Sequence, residues 1–216
     1  EQLIKDNFGN WTAPGKGAVI PDFGAPDPKA PATRVFVEPG VPVSLTMAWL
    51  RPWTPHADTI VYNQDKLTDM LALQIVSRRL EQAARSGGSF LQASVEQQDV
   101  SRSADGTFVS IIPSNDDWQK ALRDVRAIIE DAKAAPPSQA EIDREYAQMD
   151  TALAIQVENA PTEAGAKQAT DLVSAVDIRE TTVSPQAAVE IFRAGKPAMT
   201  PQKILDSTQR LFSAGV

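Results

Sequence analysis

The sequence predicts an α+β domain, a two-layer sandwich in which helices cover one face of a mostly antiparallel sheet and continue into a helical C-terminal tail. Three observations support this fold. Residues 58–85 carry apolar side chains at three- and four-residue spacings, which predicts a long amphipathic helix. Residues 43–49 alternate apolar with small side chains, as in a strand with one buried face. Residues 90–112 contain two apolar runs around an Asp-Gly pair, which favours an antiparallel hairpin.

The first 31 residues differ from the rest of the chain. Residues 1–11 have the apolar pattern and the late Gly9 of a helix end, and we assign them to the end of a preceding domain. Residues 12–31 contain five prolines and three glycines, too many for a regular element, so they predict an extended linker. Residues 32–216 then form the α+β domain. Because the sequence begins without an initiator Met or a signal peptide, we expect it to be part of a longer protein.

The elements before the hairpin follow from local patterns. Thr33–Val37 is predicted as a short strand. Residues 38–42 are predicted to form a turn that connects it to the strand at 43–49. Asp58 and Asn63 are alternative N-caps for the long helix, which ends before a Gly-Gly pair. Its apolar face consists of Leu67, Met70, Leu71, Leu73, Val76 and Leu80. Its outer side carries Lys66, Asp69, Arg78 and Glu81.

Capping signals mark the helices after the hairpin. A side-chain acceptor with an acidic residue three positions later, or a Pro directly after the acceptor, indicates a helix start. The predicted starts are Ser114 with Asp117, Ser138 with Glu141, Thr162 after Pro161, Ser184 before Pro185, and Thr200 before Pro201. Gly195 and Gly215 are expected to follow the ends of the last two helices.

The composition excludes several classes of function. Twenty-one basic and 28 acidic residues give a net charge of -7 with no Lys/Arg cluster, so nucleic acid is not expected as a partner. No apolar run approaches the roughly 20 residues that cross a bilayer, so no transmembrane segment is expected. The absence of Cys excludes thiolate nucleophiles, disulfides and Cys-based zinc sites, and is compatible with the cytoplasm or the periplasm. The single histidine, His56, excludes a zinc site built on two imidazoles.

Four segments resemble a known family when they are taken in order. They are Ile4–Trp11, Met70–Leu80, Arg85–Phe90, and Pro137–Ile142 with its Ser-x-x-Glu helix start. They resemble the pitrilysin and insulinase family of zinc metallopeptidases, which includes the mitochondrial processing peptidases, and within it the repeated domain that lacks the zinc site. The resemblance covers most of residues 1–160. It implies a two-layer α+β domain, one of several similar units that close around a peptide.

The departures from the family pattern decide what the resemblance implies for function. Family members hold zinc with an inverted His-x-x-Glu-His motif and a more distant Glu. Here His56 is followed by Ala57–Ile60, so the motif is absent and we expect no catalytic or metal-binding residue in this chain. Zinc is expected in the catalytic domain of the parent protein. The resemblance then implies a non-catalytic domain that forms part of the peptide chamber and supports the zinc-bearing domain, with the other domains and the peptide substrate as partners. The alternative is a domain of a wholly inactive family member that serves as a binding or assembly subunit. A periplasmic or envelope-associated location fits the family.

Three residues are predicted to contact substrate: Trp53, Arg85 and Phe90. In the family's second half, an Arg followed by a Tyr at the end of this helix contacts substrate. Phe90 and Gln92 follow Arg85 without a phenol, so that pair is not carried over. We interpret His56 as a solvated loop residue, Asp116 and Asp117 as capping residues, and Trp49 as a core residue. We also expect an exposed sheet edge to which an extended peptide can add, without assigning the strand.

Overall fold

The computed structural model describes residues 2–12, 15, 19, 21–27, 32–178 and 180–213. Within these ranges the chain forms three strands and several helices, so the predicted α+β class is confirmed. The strands are β1 (Leu45–Pro52), β2 (Phe90–Val100) and β3 (Ala104–Pro113). The helices are α1 (Gln2–Phe8), α2 (Ile60–Arg85), α3 (Trp118–Ala134), α4 (Gln139–Asn159), α5 (Gly165–Ile178), α6 (Pro185–Gly195) and α7 (Pro201–Leu211).

The sheet is antiparallel, in the order β1-β3-β2, and has one buried face. On the central strand β3, Val109 and Ile111 are fully buried, whereas Ser110 is exposed and Ile112 is 42% exposed. The helices therefore pack on one face, as the sequence predicts, and the other face is open among the described residues. Because β3 lies in the middle, β1 and β2 are the two edge strands.

The hairpin between β2 and β3 turns earlier than predicted. Ser101 and Arg102, both with positive φ, form the turn, and Arg102 N donates to Asp99 Oδ1 at 2.6 Å. The Asp-Gly pair lies inside β3, where a Cβ on Gly106 would sit 2.3 Å from the Phe108 ring. Glycine is needed there for side-chain packing rather than for a turn.

The predicted strand at Thr33–Val37 is wrong. Residues 32–38 form no regular element, and the three apolar residues at 35–37 are 79–87% exposed. The turn that follows does form, because Gly40 has φ +85° and Val41 N donates to Glu38 O at 3.3 Å. Among the described strands, β1 pairs only with β3, so the segment lacks the partner that a strand requires.

Helix α2 is the central packing element, but three of its predicted features are wrong. Its N-cap is Thr59, whose side chain accepts from Tyr62 N at 3.1 Å, and neither Asp58 nor Asn63 serves as the cap. Asp69, expected on the outer side, is 6% exposed because it pairs with Ser207 and Arg210 of α7. Met70, expected on the buried face, is 49% exposed. Helices α3, α4, α6 and α7 surround α2, so little of it faces solvent.

The other helix starts largely follow the capping signals. Ser138 and Glu141 form the reciprocal capping box of α4, and Ser184 and Thr200 cap α6 and α7. Asp117 caps α3 through Lys120 N at 3.0 Å, whereas the predicted cap Ser114 does not. Helix α5 begins at Gly165 rather than at Thr162, after a 3-10 turn at Ala160–Thr162.

The predicted C-terminal helices form, and they also complete the core. Phe192 of α6, Ile204 and Leu211 of α7, and the following Phe212 are at most 1% exposed within the main hydrophobic cluster. Gly195 is the last residue of α6, and the predicted helix end at Gly215 lies outside the described residues.

Candidate peptide-binding groove

A groove of about 480 Å³ lies between the C-terminal half of α2 and strand β2. Its β2 wall consists of the five consecutive residues Leu91–Val95. Because successive side chains of a strand point to opposite faces, five consecutive residues share a cavity only when it runs along the strand edge. Among the described strands β2 pairs only with β3, so this is one of the two free edges of the sheet. The expected exposed edge is therefore assigned to β2 at this groove.

The Gly-Gly exit of α2 places β2 beside the helix. Gly87 has φ +82°, and Gly88 N donates to Ala83 O at 3.1 Å, which closes the helix C-terminus. A Cβ on Gly88 would lie 2.7 Å from Ala83 O, so the tight turn also requires glycine there. Since only residues 86–89 connect α2 to β2, the strand runs back along the helix, and Arg85 and Leu91 both line the end of the groove nearest this connection.

A β-bulge changes the edge at its first residues. The pairing with β3 passes from Phe90 opposite Pro113 directly to Gln92 opposite Ile112, so Leu91 has no partner residue. Leu91 is 68% exposed and lies in the groove. The bulge thus presents one apolar side chain at the end of the groove nearest Arg85.

The α2 wall carries an ordered row of charges. Glu145 of α4, 2% exposed, accepts from Arg78 Nε at 3.0 Å, and Arg78 Nη1 donates to Glu81 Oε2 at 2.8 Å. Hydrogen bonding to Glu145 raises the pKa of the Arg78 guanidinium. Glu81 Oε1 in turn accepts from Arg85 Nη2 at 2.5 Å. This row links the buried carboxylate of α4 to the exposed end of α2.

The structure does not bring the three predicted substrate contacts together. Arg85 lines the groove, and its side chain is 73% exposed. Phe90 is 1% exposed in the core, so its side chain packs the domain and the predicted peptide contact is not compatible with this position. Trp53 is half-buried and follows β1 at the opposite sheet edge, beyond the end where Pro52 pairs with Ala104. It lies at the hairpin end of the sheet, away from Leu91.

The other two residues considered as sites, His56 and Trp49, make contacts within the domain. His56 is exposed, stacks on Tyr62 with ring centroids 4.9 Å apart, and lies 3.2 Å from Thr54 Oγ1. Trp49 packs edge-on against Phe212 at 5.1 Å, as a residue on the core face of β1. In the described ranges, no three His, Cys, Asp or Glu side chains are placed to hold a metal ion together. These residues therefore do not fit a zinc site.

Sequence reasoning missed two residues of the groove region. Leu91 has no distinguishing position in the period-two pattern of its strand. A bulge is defined by the pairing of two strands, so it can be recognised only once the pairing with β3 is known. Glu145 lies on a helix where a carboxylate is ordinarily solvated, and its burial depends on Arg78, 67 residues earlier. No local signal identifies either residue.

Comparison with known proteins supports the architecture. No protein-family model and no curated protein sequence matches the chain. Solved structures match it over 99% of its length: the first half of the periplasmic protease PqqL from Escherichia coli, with a TM-score of 0.80 and 15% identity, and a protease from Helicobacter pylori, with 0.71 and 13%. A predicted insulinase family protease from Yersinia pestis matches over 99%, with a TM-score of 0.69 and 15% identity. The chain has the fold of these proteases.

The match also bears on the organisation of the parent protein. The chain spans 46% of the PqqL half, 49% of the Helicobacter pylori chain and 46% of the Yersinia pestis chain. It therefore corresponds to less than half of each solved chain, which is consistent with one domain among others. Among the helices in the described part of the chain, none is both long and apolar enough to cross a membrane.

Proposed function

We propose that this chain is a non-catalytic domain of an insulinase-type zinc metallopeptidase, which forms one wall of the peptide chamber and supports the zinc-bearing domain. The observation that carries the proposal is the fold likeness to proteases over 99% of a chain that has a single histidine and no cysteine. Zinc and water activation are then supplied by another domain of the parent protein, since the residues of this chain do not fit that site.

The groove along β2 supports the peptide-binding part of the proposal. An extended peptide adds to a free sheet edge through main-chain hydrogen bonds, and alternate side chains then enter the neighbouring space. Leu91–Val95 provide such an edge. The side chains on one face of the added peptide would contact α2, which forms the other wall of the groove. The role is binding and positioning, because the described lining offers the hydroxyls of Ser77 and Ser94 without a histidine to activate them and without a cluster of metal-ligating side chains.

Helix α1 supports the expected contact with other domains of the parent chain. Its apolar side chains and the following Trp11 are strongly exposed: Leu3 77%, Ile4 65%, Phe8 51% and Trp11 78%. Seven residues are too few for a helix to be stable alone in water, so its stability depends on packing. We assign that packing to the preceding domain, and we place the parent protein in the periplasm or cell envelope by analogy with PqqL.

Metal analysis and peptide cleavage test the non-catalytic role. The untagged chain is equilibrated with zinc, desalted, and assayed with a mixture of fluorescence-quenched peptides, with and without a chelator. We expect sub-stoichiometric zinc and no chelator-sensitive cleavage. Stoichiometric zinc together with chelator-sensitive cleavage would overturn the proposal.

The alternative is that the chain belongs to a wholly inactive family member that serves as an assembly subunit. The residues encoded upstream of residue 1 in the parent reading frame distinguish the two proposals. A His-x-x-Glu-His motif upstream of residue 1 supports the peptidase. Its absence supports the assembly subunit, in which case the groove serves binding without hydrolysis.

Peptide binding is tested by hydrogen exchange. An unstructured ten-residue peptide rich in Thr and Val is expected to slow amide exchange within Leu91–Val95. The matched control is the same peptide with alternate amides N-methylated, which lacks the donors needed to join a sheet. Equal protection by both peptides would exclude strand addition at β2.

A further inference from the structure

The charge of the groove comes entirely from α2. The β2 wall contributes only uncharged side chains, whereas the charged lining residues are Arg78, Glu81 and Arg85. The groove wall therefore carries two cations and one anion within an otherwise acidic chain. Arg78 is also paired with the buried Glu145 behind this wall, so the charge row as a whole is balanced. An anionic group is therefore attracted only where a guanidinium keeps donors that are not already used.

Arg78 does not provide the binding group, because its hydrogen-bonding capacity is already used. Its Nε donates to Glu145, its Nη1 to Glu81, and its Nη2 to Gln148 Oε1 at 2.6 Å. The partner Glu145 is buried, so removing Arg78 from it would leave a desolvated carboxylate. Arg78 is thus held in place as part of the wall.

Arg85 is the cation that remains available. Its side chain is 73% exposed, and within the described part of the chain only its Nη2 has a hydrogen-bond partner, Glu81. The pair with Glu81 is an exposed i,i+4 ion pair on a helix, a type that contributes little stability. A carboxylate entering the groove can therefore compete with Glu81 for the guanidinium, which binds carboxylates in a two-pronged geometry.

The dimensions of the groove place one peptide side chain opposite Arg85. The α2 wall from Gln74 to Arg85 extends over roughly 16 Å at 1.5 Å per residue, which matches about five residues of an added strand at 3.3 Å each. Alternate side chains of that strand face α2. The one level with Leu91 meets Arg85.

We propose that the groove is selective for acidic peptides, with Arg85 as the specificity-determining residue that binds an Asp or Glu side chain at the position level with Leu91. This inference rests on the proposed peptide-binding function and adds the charge class of the substrate. The main-chain hydrogen bonds to β2 supply affinity, and the contact with Arg85 supplies the preference.

Fluorescence anisotropy with three labelled peptides tests the proposal on the 216-residue chain. The peptides are identical ten-residue Thr/Val sequences with Glu, Gln or Lys at alternate positions on one face. We expect the Glu peptide to bind about three- to fivefold more tightly than the Gln peptide, as for an exposed charge pair, and the Lys peptide to bind more weakly than either. The preference should decrease as salt increases.

Variants of the pair assign the preference to Arg85. In R85Q the Glu-over-Gln preference should disappear, and in R85E the Lys peptide should become the preferred one. In E81Q the preference should increase, because the competing carboxylate is gone. R126Q, which removes an exposed Arg of α3 outside the groove, is the matched control and should retain the preference.

The possible results separate this inference from the proposed function. Equal binding of the three peptides, or a Glu preference that persists in R85Q, overturns the acidic selectivity and leaves peptide binding intact. If none of the peptides binds, the groove is not a peptide site and both proposals are overturned.

Discussion

Glu141 stabilises the junction of α2 and α4, and its protonation makes that stability dependent on pH. The carboxylate accepts from Ser138 N at 2.9 Å and from Arg79 Nε of α2 at 2.9 Å. Burial raises the pKa of Glu141, but the hydrogen bonds from Arg79 and Ser138 outweigh it and lower the pKa from 4.5 to about 2. The folded protein therefore holds Glu141 ionised at pH values where the unfolded chain protonates it.

The magnitude follows from linkage between protonation and folding. A pKa lowered from 4.5 to about 2 corresponds to about 3 kcal/mol of stability at pH 7. Because the folded pKa is the lower one, the contribution is complete above pH 4.5 and is lost as the pH falls towards 2. At pH 3 roughly 1 kcal/mol remains, which is less than half of the contribution at pH 7. The side chain is 27% exposed, so solvent screening makes these values upper bounds.

Urea unfolding of the wild type and E141Q, followed by far-UV circular dichroism at pH 7 and pH 3, measures this effect. Gln retains acceptor capacity for the cap, so we expect E141Q to lose about 2 kcal/mol at pH 7 and less than half of that at pH 3. E130Q removes the exposed carboxylate paired with Lys133 on α3, and should change stability by at most about 0.5 kcal/mol at either pH. A loss in E141Q that is equal at both pH values, or an NMR-titrated pKa of 4 or above for Glu141, would refute the reasoning.

Three further changes test the packing and the backbone. R78M should cost about 3 kcal/mol in urea unfolding, because it removes the hydrogen-bonded cation of the buried Glu145 and leaves only Arg144 Nε at 3.9 Å, and the double variant R78M/E145M should recover most of that loss; equal stability of R78M and wild type would contradict the buried pair. F192A should cost about 3–5 kcal/mol by thermal unfolding because Phe192 is fully buried, and a cost below about 1 kcal/mol would place the ring outside the core. G87A should cost about 1 kcal/mol because φ is +82°, whereas G165A, at an open helix start, should not destabilise; equal effects of the two would contradict the left-handed conformation of Gly87.

The sequence predicted those features whose physics is local. The Ser138–Glu141 capping box and the caps at Ser184 and Thr200 involve groups three residues apart, so these hydrogen bonds do not depend on a distant partner. The Gly-Gly helix end is local in the same way, because Gly87 supplies a conformation that other residues adopt at a cost. The amphipathic pattern of α2 also predicted its packing role, since four helices and the sheet surround it.

The errors concern features that depend on distant partners. The Asp-Gly pair favours a turn, but Gly106 is instead required by the Phe108 ring, and the turn forms at Ser101 and Arg102. Asp69 has the polarity of a solvated residue and becomes buried because α7 supplies Ser207 and Arg210, 138 and 141 residues later. The position of Phe90 directly after the helix predicts a contact with substrate. The side chain is buried instead, because the register of β2 against β3 places it in the core.

The groove lies beside the second half of α2 because the two halves of this helix have different neighbours. Its first half is closed off by α7, which contributes the partners of Asp69 and the apolar residues that complete the core. Its second half extends beside the edge strand, where α4 supports it through the ion pairs Glu145–Arg78 and Glu141–Arg79. The edge beside it is left open, since β2 has no second strand neighbour in the described chain. Changes at Glu141 or Arg78 should therefore affect stability and the groove together, whereas changes at Arg85 should alter the groove alone, because its side chain pairs with no buried residue in the part of the chain that the structure describes.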